Sequence, residues 1–237
     1  MRSCNCTEVG FPPLEFFPEN SKEPAGFDID LGNELAKRLG LKARWENTGF
    51  DGIIAALQSR KCDAIISGLS RTTQRETQVR FVTYLQNNRA ILVQKGNPAR
   101  ISSFNDLCGK AVGAQVGSAN YEDMVKLVDK CKADAKPALI LRSFPNDAAL
   151  RLALLSNQID AYNQSAMPAA WAVKQSPGRL EIAAVSEQTN FIGIAFRRDD
   201  VALHSAVQKL VKTMYQDGSM NRLLQEWELT PFRLRNP

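Results

Sequence analysis

The sequence has few of the residues on which histidine-dependent catalysis and metal binding rely. Its 237 residues include a single histidine, His204, in a segment whose apolar spacing predicts a helix. A single histidine leaves little support for histidine-rich metal sites or for Ser-His-Asp catalysis. No run of about 18 apolar residues is present, so the sequence contains no candidate transmembrane helix.

Cysteine spacing excludes the common zinc motifs. The five cysteines show neither paired Cys-x-x-Cys spacing nor the rhythm of a zinc ribbon, so structural zinc is not expected. Cys108 precedes a predicted strand and Cys131 ends a predicted helix, so the two can form a disulfide in an oxidising compartment. Cys62 is interpreted as a buried free thiol.

The amino terminus lacks the apolar core of a signal peptide. It begins MRSCNC, which contains Cys4 and Cys6. Either a leader has been removed from this sequence, or the protein stays in the cytoplasm. The residues alone leave both alternatives open.

The charge distribution gives little sign of a polyanionic partner. The net charge is +5 and the pI is near 9.0, but basic and acidic residues alternate in segments such as 126–136. Nucleic-acid binding is therefore not expected. A hydrophobic content of 44% with 23% charged residues is typical of a globular protein.

The segment from Lys61 to Arg75 predicts a buried strand followed by a polar loop. An apolar run at 64–66 precedes Gly68, which allows the backbone to turn. The polar side chains that follow the strand are Ser67, Ser70, Thr72 and Arg75. Strand ends of α/β sheets commonly bind ligands, and an arginine offers two parallel donors to a carboxylate. The pattern predicts a site for a small anion; the alternative is that Arg75 is a solvated residue at the start of the next helix.

Strand-like and helix-like segments alternate along the chain, which predicts an α/β fold with largely parallel sheets. The Gly-Asn-Pro sequence at 96–98 interrupts this alternation, and a second break falls at 187–190. We therefore predict two lobes, one formed by 1–95 and 191–237 and the other by 96–190. The two chain crossings would form a hinge.

Several segments, in their order and spacing, resemble the type 3 extracellular solute-binding proteins of polar amino-acid ABC transporters. They include GFDIDLGNELAKRLG, FDGIIAALQSRKCDAIISGLSRTTQR, DLCGKAVGAQVGS and IGIAFRRDD, and the resemblance covers nearly the whole chain. It implies two α/β lobes joined by two crossing hinge strands, with a ligand cleft between the lobes.

The same resemblance implies a function in binding rather than catalysis. The expected partners are a small carboxylate ligand, either an amino acid or a derivative, and the membrane permease of an ABC transporter. The resemblance further implies a monomer without a cofactor, located in the periplasm or outside the cell, with its leader absent from this sequence.

For the first lobe, the resemblance suggests which residues contact the ligand. Arg75 matches the arginine directed at the ligand's α-carboxylate. Gly68 and Ser70 match loop positions that contact the amino or carboxylate group, Leu69 lies between them, and Thr72 would orient the loop.

Three further positions of the first lobe have two interpretations each. Phe11 and Phe50 match the walls that enclose the ligand's side chain, although by themselves both are typical core aromatics. Glu8 matches a position where some binders of basic amino acids carry an acid; the alternative is a solvated loop charge.

In the second lobe, Gly117, Ser118 and Ala119 match a helix start whose amides face the carboxylate, a placement that the helix dipole favours. The family usually has an aspartate five residues after Asp160, where this sequence has Ser165. A serine supplies no countercharge for an ammonium. The ligand is therefore expected to have a substituted nitrogen, to lack an amino group, or to bind in an altered pose, unless Glu8 meets the ammonium instead.

Two alternative functions share this fold. A dehydratase resembling cyclohexadienyl dehydratase needs a general acid, but no acid occurs between Asn163 and Lys174 and neither ligand loop contains a histidine. The second alternative is that the chain is the excised ligand-sensing domain of a receptor, which a membrane span in the full reading frame would reveal.

Overall fold

The computed structural model describes residues 2–235 and confirms the α/β fold class. The chain forms two compact units, the first containing the described residues up to Gln86 and from Asn190 onward, the second containing Asn87–Thr189.

The elements alternate much as the sequence predicts. The strands among the described residues are β1 (Arg2–Thr7), β2 (Lys42–Asn47), β3 (Ala64–Ile65), β4 (Val79–Asn87), β5 (Arg89–Gln94), β6 (Ala111–Gln115), β7 (Ile140–Phe144), β8 (Ala161–Ser165), β9 (Leu180–Val185) and β10 (Asn190–Arg197). The helices are α1 (Phe27–Arg38), α2 (Ile53–Gln58), α3 (Thr73–Glu76), α4 (Ala119–Ala133), α5 (Asp147–Leu155), α6 (Ala166–Gln175), α7 (Val201–Gln216) and α8 (Ser219–Glu226), with short 3-10 turns at Phe50–Gly52, Phe104–Leu107 and Thr230–Phe232.

The first unit contains a sheet with strand order β2-β1-β3-β10-β4. β1 runs parallel to β2 and β3, whereas β10 pairs antiparallel with β3. Helix α1 buries an apolar face that includes Phe27, Leu31 and Leu35. Acids in its first turn and bases in its last turn complement the helix dipole.

The second unit contains a sheet with strand order β7-β6-β8-β5-β9. β6 runs parallel to β7 and β8, and β5 pairs antiparallel with β8 and β9. Helix α4 packs Met124 and Leu127 into a core that also contains Val112 of β6. Both sheets are therefore mixed, and the prediction of largely parallel sheets was wrong for β5, β9 and β10.

The division between the units differs from the predicted boundaries. It falls after residues 86 and 189, whereas the sequence suggested 95 and 190. Residues 87–95 lie with the second unit because β5 is hydrogen-bonded between β8 and β9. The Gly-Asn-Pro break at 96–98 thus marks the end of this strand and not the passage between the units.

Two disulfides are present, Cys6–Cys62 and Cys108–Cys131, and Cys4 is a free cysteine. The pairing suggested for Cys108 and Cys131 is confirmed. The interpretation of Cys62 as a free thiol was wrong. Parallel pairing of β1 with β3 brings the chain just before β3 beside β1, with Cα atoms of Cys6 and Cys62 5.6 Å apart.

Residues 2–235 contain neither a candidate membrane-spanning helix nor a candidate metal-binding cluster. No helix in that range combines the length and the apolar character that crossing a membrane requires. Nor does any group of three or more His, Cys, Asp or Glu side chains there lie close enough together to hold a metal ion.

Candidate functional site

The polar loop of the first unit begins where β3 ends and turns at Gly68. Gly68 has φ +52°, and a Cβ at this position would lie 2.9 Å from a ring carbon of Phe11. Both the left-handed backbone and the close approach of the aromatic ring therefore require glycine. Leu69 is fully buried behind the loop. The structure thus brings Phe11 against Gly68, whereas Leu69 packs into a core cluster of the first unit with Ile65.

Arg75 is held in a defined position by this loop. Its side chain is 5% exposed, and its Nη1 donates to the carbonyl oxygen of Ser70 at 2.8 Å. The guanidinium carbon lies 5.7 Å from the centre of the Phe50 ring, a distance typical of a cation–π contact. Thr72 caps α3 by accepting a hydrogen bond from the Arg75 N–H. The alternative of a solvated arginine is therefore wrong.

Two buried acids, Asp28 and Glu15, accept hydrogen bonds from the loop, and neither was predicted from the sequence. Asp28 accepts hydrogen bonds from the Gly68 N–H at 2.7 Å and from the Tyr84 hydroxyl. Glu15 accepts one from the Ser67 hydroxyl at 2.9 Å. In the sequence, Asp28 is an ordinary first-turn acid of α1, and only its apolar neighbours in GFDID hint at burial.

The environment of these acids perturbs their ionisation. Burial is the main reason why the pKa of Asp28 rises to about 6. Burial, and next the negative charge of Asp28, raise the pKa of Glu15 well above its ordinary value. Removal of water penalises the charged form of a carboxyl group, and a neighbouring carboxylate adds repulsion. The pair therefore holds a proton more strongly than two exposed acids would.

Glu8 is tied to the same loop through its backbone. Its N–H donates to the Ser67 hydroxyl at 2.9 Å, and the same hydroxyl donates to Glu15. Ser67 thus links the strand end after β1 to the buried acids. The expected role of the Glu8 side chain toward a ligand stays a prediction.

In the second unit, Gly117, Ser118 and Ala119 lie at the start of α4 as predicted from the resemblance. Gly117 has φ +74° and makes the turn into the helix. Ser118 is the N-cap, since its side-chain oxygen accepts a hydrogen bond from the Tyr121 N–H at 3.1 Å. The positive end of the dipole of this 15-residue helix therefore lies at these residues.

Ser165 ends β8 and is the N-cap residue of α6. It is buried, yet within the described residues its hydroxyl makes no capping hydrogen bond to the first turn of α6. Its N–H donates to Oε1 of Gln164, which also accepts from Nδ2 of Asn120 at 3.1 Å. Ser165 and the start of α4 are therefore parts of one polar cluster.

This cluster continues into the interior of the second unit. Nε2 of Gln164 donates to the buried carboxylate of Asp147 at 2.8 Å, and Nδ2 of Asn163 donates to the backbone carbonyl of Asn120 at 3.0 Å. Asn120 directly follows the predicted positions 117–119, but its side chain was not predicted as part of the site. The three consecutive polar residues that end β8, Asn163, Gln164 and Ser165, were the available signal.

Comparison with known proteins places this arrangement in a family. The family model of the bacterial extracellular solute-binding proteins, family 3, matches residues 5–230. The L-cystine-binding protein TcyJ of Escherichia coli (strain K12) is 28% identical over 221 residues, covering 93% of this chain and 80% of that protein.

Solved structures of similar fold agree. An ancestral arginine-binding protein bound to arginine has a TM-score of 0.87 at 36% identity, covering 95% of this chain and 97% of its own. An ancestral amino-acid-binding protein that is a precursor of cyclohexadienyl dehydratase has a TM-score of 0.84 at 30% identity, covering 95% of both chains. The chain belongs to the bacterial extracellular solute-binding proteins, family 3.

Proposed function

We propose that this protein is the substrate-binding component of an ABC uptake system and that it captures an amino acid or an amino-acid-like small carboxylate. The observation that carries the proposal is the buried Arg75 of α3, fixed by the Ser70 carbonyl and the Phe50 ring. A guanidinium fixed in this way matches the planar geometry of a carboxylate. Each charge-assisted hydrogen bond to it is worth roughly 1.5–3 kcal/mol.

The proposed contacts come from both units. In the first, Arg75 binds the carboxylate, Gly68 and Ser70 contribute backbone and hydroxyl groups, and Phe11 and Phe50 contact the side chain of the ligand. In the second, the start of α4 at 117–119 adds favourable electrostatics for the same carboxylate, and Ser165 contributes a hydroxyl. The family and its amino-acid-binding members support these assignments.

We place the protein in the periplasm or outside the cell, delivering its ligand to a membrane permease. The family is extracellular, and the two disulfides fit an oxidising compartment.

We propose binding without catalysis. The segment from Asn163 to Lys174 contains no acid, so the cluster around Ser165 offers no general acid from that strand and helix. Incubation with prephenate or arogenate is expected to give no product, and turnover of either would show a dehydratase.

A thermal-shift screen tests the proposal. The unfolding temperature is measured with each of the common amino acids and with small mono- and dicarboxylates. At a ligand concentration of about 100 Kd, binding to the folded state adds about 2.7 kcal/mol to stability, which raises the unfolding temperature by several degrees. Arg75→Ala is expected to abolish the shift, whereas Arg71→Ala, an arginine of the same loop that is 45% exposed, is expected to retain it. No shift with any compound would overturn the proposal.

A further inference from the structure

We infer that Arg89 is a specificity-determining residue of the second unit and that the ligand presents an oxygen acceptor, not a free α-ammonium, to it. This inference rests on the proposed binding function and narrows the ligand class. The acceptor is a carboxylate or carbonyl oxygen of the ligand other than the carboxylate that Arg75 is proposed to bind. Acids with a second carboxylate and N-acylated amino acids both have this chemistry.

The strand register places Arg89 beside Ser165. Arg89 is the first residue of β5 and pairs directly with Ser165 across the antiparallel β5–β8 ladder. Directly opposed residues of antiparallel strands point to the same face of the sheet, with Cβ atoms about 4.5–5.5 Å apart. The side chain of Arg89 therefore shares a face with Ser165, the position where an aspartate was expected.

Contacts with α4 show which face this is. Ile91 follows Arg89 by two residues, so it lies on the same face of β5, and it packs with Met124 and Leu127 of α4 in one core cluster. Nε of Arg89 donates to Oδ2 of Asp123 in the same helix at 2.8 Å. Arg89 thus lies between Ser165 and the first turns of α4, within the polar cluster that contains the predicted contacts of the second unit.

The burial of the Arg89–Asp123 pair is unequal. The side chain of Arg89 is 7% exposed and that of Asp123 is 38% exposed. A buried guanidinium is costly unless its charge is compensated, and Asp123 supplies one compensating charge. A guanidinium has five N–H donors in a fixed planar arrangement, so it can serve more than one acceptor.

The electrostatics of the cluster disfavour an ammonium. Replacement of the expected aspartate by Ser165 removes a negative charge, and the positive end of the α4 dipole lies at 117–119. The charges of Arg89 and Asp123 compensate each other, and Asp147 accepts from Gln164, whose side chain lies on the opposite face of β8 from Ser165. An ammonium here would therefore meet a guanidinium and a helix N-terminus, whereas an oxygen acceptor would meet hydrogen-bond donors.

The test is isothermal titration calorimetry with matched pairs of probes that differ at the α-substituent. The pairs are L-arginine and Nα-acetyl-L-arginine, L-glutamine and N-acetyl-L-glutamine, and L-alanine and methylmalonate. In the pair that binds most tightly, the wild type is expected to prefer the member without a free α-amino group by about tenfold or more, as expected for one charge-assisted hydrogen bond. Methylmalonate, which has a carboxylate in place of the α-amino group of alanine, and the N-acetyl compounds distinguish a second carboxylate from an acyl oxygen.

Variants assign the preference to Arg89. Arg89→Gln is expected to reduce binding of the preferred member by about tenfold or more, and Arg89→Lys, which retains the charge next to Asp123, to reduce it less. Ser165→Asp combined with Arg89→Gln is expected to reverse the preference toward the free amino acid. If Arg89→Gln fails to fold, the comparison of Arg89→Lys with the wild type carries the test, because Lys also loses the planar donor arrangement.

Three results would overturn the inference, and they are distinguishable. Tight binding of a free α-amino acid that neither Arg89→Gln nor Arg89→Lys weakens would make Arg89 only a structural partner of Asp123, while the proposed function stands. Loss of that binding in Asp123→Asn would instead identify Asp123 as the partner of the ammonium. Absence of binding by every probe would overturn the proposed function, and the inference with it.

Discussion

Asp28 accepts a hydrogen bond from the backbone N–H of Gly68 at 2.7 Å, so a buried carboxylate of α1 fixes the turn of the loop that contains Ser70. The Tyr84 hydroxyl donates to the same carboxylate. Neither Asp28 nor Tyr84 is exposed. The position of the proposed ligand loop therefore depends on groups that do not themselves face a solute.

Asp28→Asn is expected to weaken this support. An asparagine that keeps its oxygen toward Gly68 places an NH2 group where the other carboxylate oxygen accepts from Tyr84, so at pH 5, where the acid pair already holds a proton, the lost bond is expected to cost about 1–3 kcal/mol in stability. Chemical denaturation measures this change. The control is Glu34→Gln, on the exposed side of the same helix and paired with Arg38, which is expected to change stability by less than about 0.5 kcal/mol. Equal stabilities of the two variants would contradict the supporting role of Asp28.

The buried acid pair predicts a particular pH dependence of stability. The pKa of Asp28 is raised from 3.8 to about 6 and that of Glu15 is raised well above 4.5, so the folded state binds protons more tightly than the unfolded state. The stabilisation from this pair is fully present below about pH 4 and is lost as the pH rises through about 6 and beyond.

Glu15→Gln isolates this effect. Glutamine can still accept from Ser67 and can donate to Asp28, but it carries no charge. The variant is expected to be more stable than the wild type at pH 8, by roughly 1 kcal/mol or more, and to show a flatter decline in stability between pH 5 and 8. Urea unfolding at several pH values measures both. A wild-type decline that persists unchanged in Glu15→Gln would contradict the assignment to this pair.

Gly68→Ala is expected to disturb the loop in two ways. The left-handed backbone costs about 1 kcal/mol for alanine, and the new Cβ would lie 3.0 Å or less from atoms of Phe11 and Leu14. Gly40→Ala is a matched control, because Gly40 has φ +69° and a Cβ added there would have no neighbouring atom within 4 Å among the described residues. The stability of Gly68→Ala should fall below that of Gly40→Ala, and only Gly68→Ala should lose ligand affinity. Identical behaviour of the two variants would show that the contact with Phe11 is unimportant.

The two disulfides predict the thiol content and its energetic consequence. Denatured but unreduced protein should show one reactive thiol, from Cys4, and reduced protein five. Replacement of Cys6 and Cys62 by serine opens a loop with a sequence separation of 56, for which chain entropy predicts a loss of roughly 4 kcal/mol; for Cys108 and Cys131, with a separation of 23, it predicts roughly 3 kcal/mol. Three or more thiols without reduction would contradict the pairing.

Local patterns were sufficient for much of the fold and of the site. The polar loop that follows β3 was predicted from neighbouring residues and the helix start at 117–119 from the family resemblance, and the structure has both. Sheet membership is not encoded locally, so the assignment of β5 to the second unit could not be predicted from its apolar run.

The same limit applies to the residues that sequence reasoning missed. Cys62 pairs with Cys6, 56 residues away, and Glu15 and Asp28 become neighbours of the loop only through tertiary packing. Arg89 shares a face with Ser165 because of an antiparallel register that neither sequence segment specifies. Each of these relationships depends on a long-range contact.

The central claim is that Arg75 binds the carboxylate of a small ligand, and calorimetric titration of the tightest ligand from the thermal-shift screen tests it most directly. Loss of the guanidinium removes at least one charge-assisted hydrogen bond, so Arg75→Ala is expected to weaken binding by about 100-fold or more, while Arg71→Ala binds within about twofold of the wild type. Equal affinity of Arg75→Ala and the wild type for that carboxylate would contradict the account.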